Sequence, residues 1–313
     1  MEQSFTLRTV EFTNRILAAS GTFGYGNEVL DLVDINKLGG IMTKSLSLKP
    51  RDGNPSPRIT ETPSGMLNSI GLANIGVHKF IEEKLPVLRK YTTKIIGNIA
   101  ASSVDEYCAV LELLDAQEGV HGFEINVSCP NVKEGGLNFG TDPHQVAHIT
   151  KETRKRTEKP LIIKLTPNVT HISEFARAAE AEGADAVSVI NTLIGMSVNI
   201  STRKPRIATT TGGLSGPAIK PIALAKVYET CNAVKIPVIG VGGIKTWEDA
   251  VEFFIVGASM VQIGTANFVD PATGTSITES IERYCEKYSI SHMIDLIGSL
   301  ETNKNVSIVD SWL

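Results

Sequence analysis

Eight short, β-branched apolar runs recur along this chain, each separated from the next by a stretch with helical periodicity. They fall at 15–20, 40–44, 94–99, 122–127, 161–165, 186–190, 238–241 and 260–263. Most are continuously apolar, the pattern of strands covered on both faces. Between them, Ser103 and Glu106 form a capping-box pair ahead of the stripe Val104, Tyr107, Cys108, Leu111 and Leu114. Asp142-Pro143 opens a second helix, with the acid at the N-cap and proline at the first helical position. Thr170 precedes Ile172, Phe175, Ala176 and Ala179, and Gly183 ends that helix. Thr246 opens a helix carrying Trp247, Ala250, Val251 and Phe254. Strand alternating with helix over the whole length implies a parallel sheet. Eight such units point to an α/β fold of the (β/α)8, or TIM-barrel, type. A doubly wound open sheet is the competing arrangement; it differs in closure, which periodicity does not report. Two connections, 45–74 and 192–216, are too long for simple turns and are expected to be inserted loops covering the C-terminal face. With no linker, low-complexity tract or fixed-period repeat, residues 1–313 read as one domain.

Charge and cysteine usage exclude several function classes. A net charge of −4 and a pI near 5.9 disfavour a nucleic acid as the main partner, yet leave room for a small anion held by local cations. No apolar run approaches the roughly 18 residues that span a bilayer, and the N-terminus lacks a basic stretch followed by an apolar one, so no membrane association is expected. Cys108, Cys129, Cys231 and Cys285 are far apart and form no CxxC pair. That argues against a zinc or iron–sulfur site on this chain and fits thiols of a cytoplasmic protein.

In a barrel, reacting groups lie just past the C-terminal ends of the strands. Read in order, those ends carry Ser20-Gly21, Thr43-Lys44-Ser45, Asn98, Asn126 through Asn131, Lys164 with Thr166-Pro167-Asn168, Asn191-Thr192, Gly242-Gly243 and Gly264-Thr265. Any one Asn, Ser or Gly is equally a turn-former. As a set at strand ends, they point to one shared pocket. The glycines after the seventh and eighth runs, joined by Gly216 ahead of a helix, supply backbone N–H groups where barrels often hold phosphate. Lys44, at the end of an apolar run, and Lys164, between Ile163 and Leu165, suit inward cations for an anionic ligand better than surface lysines. Cys108, Cys231 and Cys285 read as packing residues. Cys129, in a polar loop beside Pro130, reads as a candidate nucleophile or base.

The run Asn126-Val127-Ser128-Cys129-Pro130-Asn131 resembles the active-site loop of class 1 dihydroorotate dehydrogenases. Thr43-Lys44-Ser45, Asn68-Ser69-Ile70-Gly71-Leu72, Ile163-Lys164-Leu165, Asn191-Thr192, Gly212-Gly213-Leu214-Ser215-Gly216-Pro217, Gly240-Val241-Gly242-Gly243-Ile244 and Gln262-Ile263-Gly264-Thr265 match that family's pattern in order, over almost the full chain. The resemblance implies an FMN-dependent oxidation of dihydroorotate to orotate in pyrimidine biosynthesis, with Cys129 taking the C5 proton and FMN the C6 hydride. It implies FMN binding by Ser20, Lys44, Ser45, Asn98, Asn126, Lys164, Ile190, Gly216, Gly242, Gly243, Gly264 and Thr265. It implies substrate binding by Lys44, Asn68, Ser69, Ile70, Gly71, Leu72, Asn126, Asn191 and Thr192. Residues 132–141 would close over the substrate, hinged at Gly135-Gly136.

Residues 131–141 look like the NAD-linked class 1B branch. The resemblance therefore implies a partner subunit bearing FAD and a [2Fe–2S] cluster, in a heterotetramer of two catalytic and two electron-transfer chains. A fumarate-linked class 1A homodimer and a dihydropyrimidine dehydrogenase share fold, flavin and cysteine base and stay open. The acidic pI counts against a flavin enzyme acting on tRNA. A non-catalytic phosphate-binding barrel would not need the intact cysteine, lysine and asparagine set.

Overall fold

The computed structural model describes residues 3–128 and 139–302. Its centre is a closed barrel of eight parallel strands. In chain order these are β1 (Ile16–Ala18), β2 (Gly40–Met42), β3 (Lys94–Ile99), β4 (Gly122–Asn126), β5 (Leu161–Leu165), β6 (Ala186–Val189), β7 (Val238–Val241) and β8 (Met260–Ile263). Every expected run holds one of them. The open-sheet alternative is excluded by β8 pairing in parallel with β1, Val261 opposite Ile16 and Ile263 opposite Ala18. Four runs, 15–20, 40–44, 122–127 and 186–190, extend one or more residues beyond the observed strand, and in each the surplus at the C-terminal end is the start of a site loop.

Successive side chains of a strand point to opposite faces. Closure turns that alternation into an inside and an outside. Leu17, Met42, Ile96, Ile162, Ala186, Ile239 and Met260 form one buried cluster within the lower barrel. The next inward position on these strands, two residues on, is Ala19, Lys44, Asn98, Lys164, Ser188, Val241 and Gln262, with Glu124 on β4 at the same level. The interior is thus apolar at the N-terminal end and polar toward the C-terminal end.

The lower mouth is stoppered by an antiparallel hairpin, Phe5–Leu7 with Val10–Phe12. Leu7 and the fully buried Phe12 join the inner cluster. Arg8, at the hairpin turn, ties it to the barrel through Glu158 and, at 3.2 Å, Asp185. The outward faces pack against the helices in a larger cluster. Gly240 is required there: a Cβ would lie 2.4 Å from the Phe253 ring.

Helix starts follow the expected capping in part. Asp142 accepts from the His144 N–H, with Pro143 at the first helical position. Thr246 and Asp249 complete a reciprocal capping box. Ser103 accepts from the Glu106 N–H. The Glu106 carboxylate, however, turns to the Ser102 N–H at 2.7 Å and to Arg51, so that box is not reciprocal. Arg51 belongs to the first insertion, so this carboxylate holds the insertion onto the barrel instead.

The two insertions are not simple loops. Leu193–Gly195, Gly212–Ser215, Gly65–Asn68 and Ile59–Thr62 pair in that order as one antiparallel sheet, joining the insertion after β2 to that after β6. Its strands are short and glycine-rich, which hides them from a search for apolar alternation.

The plug leads to a stability prediction. Phe12→Ala should cost about 3–5 kcal/mol, the usual range for deleting a buried phenyl group, as read by urea unfolding. A loss within 1 kcal/mol, by the same scale, would mean that the hairpin does not stopper the barrel.

Candidate active site

The polar half of the barrel is organised around Glu124 on β4, whose side chain has no solvent exposure. Asn98 Nδ2 on β3 donates to Oε1 at 2.6 Å. Ser188 Oγ on β6 donates to Oε2 at 2.9 Å. Gln262 Nε2, from β8 on the opposite wall, donates to the same oxygen at 2.6 Å. The Lys164 ammonium on β5 lies 3.6 Å from Oε1 and is itself only 7% exposed. Sequence reasoning placed Asn98 and Lys164 in the site but missed Glu124, Ser188 and Gln262. The available signal was parity: each lies two residues before a residue that was assigned, Asn126, Ile190 and Gly264. The buried Gln262 Oε1 has no donor among the described residues.

Above this layer, the assigned residues at strand ends come together. Ser45 Oγ donates to Asn98 Oδ1 at 2.6 Å. Asn126 Oδ1 accepts from Asn191 Nδ2 at 3.3 Å and from the Ser128 N–H at 3.2 Å. The Tyr107 hydroxyl donates to the Asn126 carbonyl, and Ser128 Oγ to that of Lys164. Thr192 N–H donates to Asn191 Oδ1, and its carbonyl accepts from Asn168. Ile190 and Asn191 are held by backbone bonds to Val241 and Leu165, on the two flanking strands. Ser20 stands half-buried just past β1.

Lys44 follows β2 and is held by a backbone bond to Gly24. Its ammonium forms no hydrogen bond or ion pair with another described residue; nearby Glu28 is taken by Lys84. Burial, with the neighbouring Arg58 charge, holds this lysine below the usual lysine range. A desolvated cation without a carboxylate is an anion site in waiting.

The expected glycines also converge. A Cβ on Gly216 would lie 3.6 Å from the Thr265 methyl, and one on Gly243 2.7 Å from the Lys220 nitrogen, at the start of the helix Lys220–Cys231. Gly242 would meet Ala223 of that helix. Gly216, Gly242 and Gly243 have φ of +96°, +136° and +75°, so both closeness and backbone conformation require glycine. The backbone N–H groups of Gly243, Gly264 and Thr265 donate to no described acceptor. Two turns with three such donors, beside a helix start, fit the phosphate end of a nucleotide.

The segment from Asn68 to Leu72 is brought over the mouth by the cover sheet. Asn68 Nδ2 donates to the Gly213 carbonyl at 3.2 Å, and Ser69 Oγ accepts from Asn54 and Thr209. Ile70 accepts a backbone bond from Asn54, and Gly71 and Leu72 both take left-handed conformations, φ +70° and +59°. Thr265 Oγ1 donates to Ser215 Oγ, tying the cover to the end of β8.

Cys129 and the expected hinge at Gly135-Gly136 lie outside the described residues. The other cysteines are free thiols. Burial raises Cys108 and Cys285 and pushes Cys231 up to about 12, so all three behave as packing residues.

The family model for dihydroorotate dehydrogenase matches residues 3–285. The chain is 52% identical over 293 residues to the dihydroorotate dehydrogenase B (NAD(+)) catalytic subunit of Geotalea uraniireducens, covering 94% of this chain and 96% of that protein. It is 53% identical over 291 residues to the protein of the same name from Alkaliphilus metalliredigens, covering 93% and 96%. The crystal structure of the Eimeria tenella dihydroorotate dehydrogenase in complex with ferulenol superposes with a TM-score of 0.80. It shares 20% identity and covers 95% of this chain and 88% of that one, a likeness of fold.

The Lys44 environment gives a pH-dependent prediction. A lysine depressed in the folded state binds fewer protons there than when unfolded, so its cost shrinks as pH rises toward the free-lysine value. Lys44→Met should therefore raise the melting temperature of the ligand-free chain at neutral pH, and the gap to the native chain should narrow as pH rises. Equal melting temperatures at all pH values would mean that Lys44 is not desolvated.

Proposed function

The chain belongs to the dihydroorotate dehydrogenase family, and from that premise we propose that it oxidises dihydroorotate to orotate in pyrimidine synthesis, as the catalytic subunit of an NAD-linked enzyme. The observation that carries the reading is the convergence of two lysines, three asparagines and three glycine turns at one barrel mouth. NAD as final acceptor, rather than fumarate, is supported by relatives of about half identity, each named an NAD(+) catalytic subunit. That name also supports a separate electron-transfer partner; we assign to it FAD and a [2Fe–2S] cluster, in a two-plus-two heterotetramer acting in the cytoplasm.

FMN fits the residues present. The free N–H groups of Gly243, Gly264 and Thr265, with Gly216 and Gly242 allowing close approach, suit its phosphate. Ser20, Ser45, Asn98, Asn126, Lys164 and Ile190 would border its ring. Bound there, FMN would supply the acceptor for the two electrons leaving the substrate. The chain's own groups do the rest. Lys164 places a fixed cation where negative charge develops. Lys44, whose ammonium has no partner among the described residues, offers it to the substrate carboxylate. Asn68, Asn126 and Asn191 carry donors and acceptors suited to a pyrimidine edge, and Ser69 through Leu72, with Thr192, would exclude water. Cys129 would take the C5 proton as general base.

The direct test is an anaerobic mix of the purified lone chain with L-dihydroorotate, following the visible flavin band. Bleaching is expected. A persistent band would rule out this substrate, and a folded chain without a flavin band would rule out the cofactor. In the same assay, Cys129→Ala should keep its flavin and slow bleaching by at least about a hundredfold. Native-like bleaching would remove Cys129 as the base.

A further inference from the structure

Glu124 is a full carboxylate in the interior of the barrel, yet no step of the proposed reaction uses it. A buried carboxylate is costly unless its oxygens are bonded and a cation is near. Here both conditions hold. Oε2 accepts from Ser188 and from Gln262 on the opposite wall, and Oε1 accepts from Asn98 while facing the Lys164 ammonium at 3.6 Å. The donors come from β3, β6 and β8 and the cation from β5, so one residue ties four other strands across the interior. A fold needing only a filled core would place an apolar residue here, as it does one layer below. Charge at this depth is explained by what lies directly above it, which is the mouth at which Lys164 ends.

We propose that Glu124 is a positioning residue: its carboxylate fixes the Lys164 ammonium at the barrel mouth and is the countercharge that keeps it protonated before negative charge reaches the flavin. This rests on the reading of Lys164 as a flavin contact. Above the apolar layer, the titratable groups at inward strand positions are Lys44, Glu124 and Lys164; Asn98, Ser188 and Gln262 face the carboxylate from their strands without titrating. From the helix Val104–Asp115, Tyr107 faces the neighbouring Asn126 carbonyl. With the pair intact, the cation is present whether the flavin is oxidised or reduced. With Glu124 neutral, the buried ammonium loses this countercharge, and burial then favours its neutral form. Two electrons entering the flavin would then draw one proton from solvent onto Lys164 Nζ, beyond those the flavin itself takes up.

The experiment is a potentiometric titration of the FMN-loaded full chain at a series of pH values, in which the slope counts protons per electron pair. Glu124→Gln should take up about one proton more per two electrons than the native chain, at the pH values where Lys164 of that variant is neutral while the flavin is oxidised. Glu124→Asp keeps the charge and should restore the native count. A native count in Glu124→Gln would overturn the proposal, as would an extra proton in Glu124→Asp, which also serves if the glutamine variant does not fold. Lys164→Met separates the two readings. If Lys164→Met leaves flavin content and potential unchanged, Lys164 is not a flavin contact. If Lys164→Met changes them and abolishes the extra proton in the Glu124→Gln background, both readings stand.

Discussion

The parallel ladder between β8 and β1 is the constraint from which the remaining architecture follows. Before closure, a strand with apolar residues on both faces is merely buried. Once Val261 pairs with Ile16 and Ile263 with Ala18, alternate residues of eight strands enter an enclosed column with a bottom and a top. The bottom is filled by an apolar layer and by Phe12 from the hairpin. The top is therefore the one end at which polar groups at strand ends meet a ligand, and the insertions after β2 and β6 join as one sheet above it.

An enclosed column also changes the value of charge. Interactions between ions strengthen as solvent is excluded, and the cost of an unpaired ion rises with them. The two inward lysines meet this cost differently. Lys164 is paired with Glu124, so its cation is fixed within the protein. Lys44 has no carboxylate partner among the described residues and is held below the usual lysine range by burial. One lysine is paired within the protein, and the other, among the described residues, is placed to take an anion. That division suits a site binding a neutral ring system and an anionic substrate side by side. It also places part of the chain's stability at the disposal of binding.

Much of this was legible in the sequence, for identifiable reasons. Strands covered on both faces read as apolar runs, so all eight were located. Asn98 and Lys164 stood out as polar residues near the ends of such runs, and the glycine turns as Gly242-Gly243 after β7 and Gly264 after β8. Closure was not legible, because pairing between β8 and β1 joins residues about as far apart as the chain allows. The cover sheet was hidden by its glycines: Gly213 has no side chain because one would strike Thr192, and its neighbours carry no alternating pattern. Glu124, Ser188 and Gln262 were averaged into their apolar neighbours. Counting residues by twos from Asn126, Ile190 and Gly264 would have recovered them, since a barrel strand repeats its inward face at that interval.

A crystal structure of the FMN-loaded chain with orotate bound tests the central claim, that the barrel mouth is one composite site, most directly. Orotate is expected against Lys44, Asn68, Asn126 and Asn191, with the flavin phosphate on the turns at Gly216, Gly243 and Gly264. Orotate bound elsewhere, or a flavin phosphate away from those turns, would contradict it.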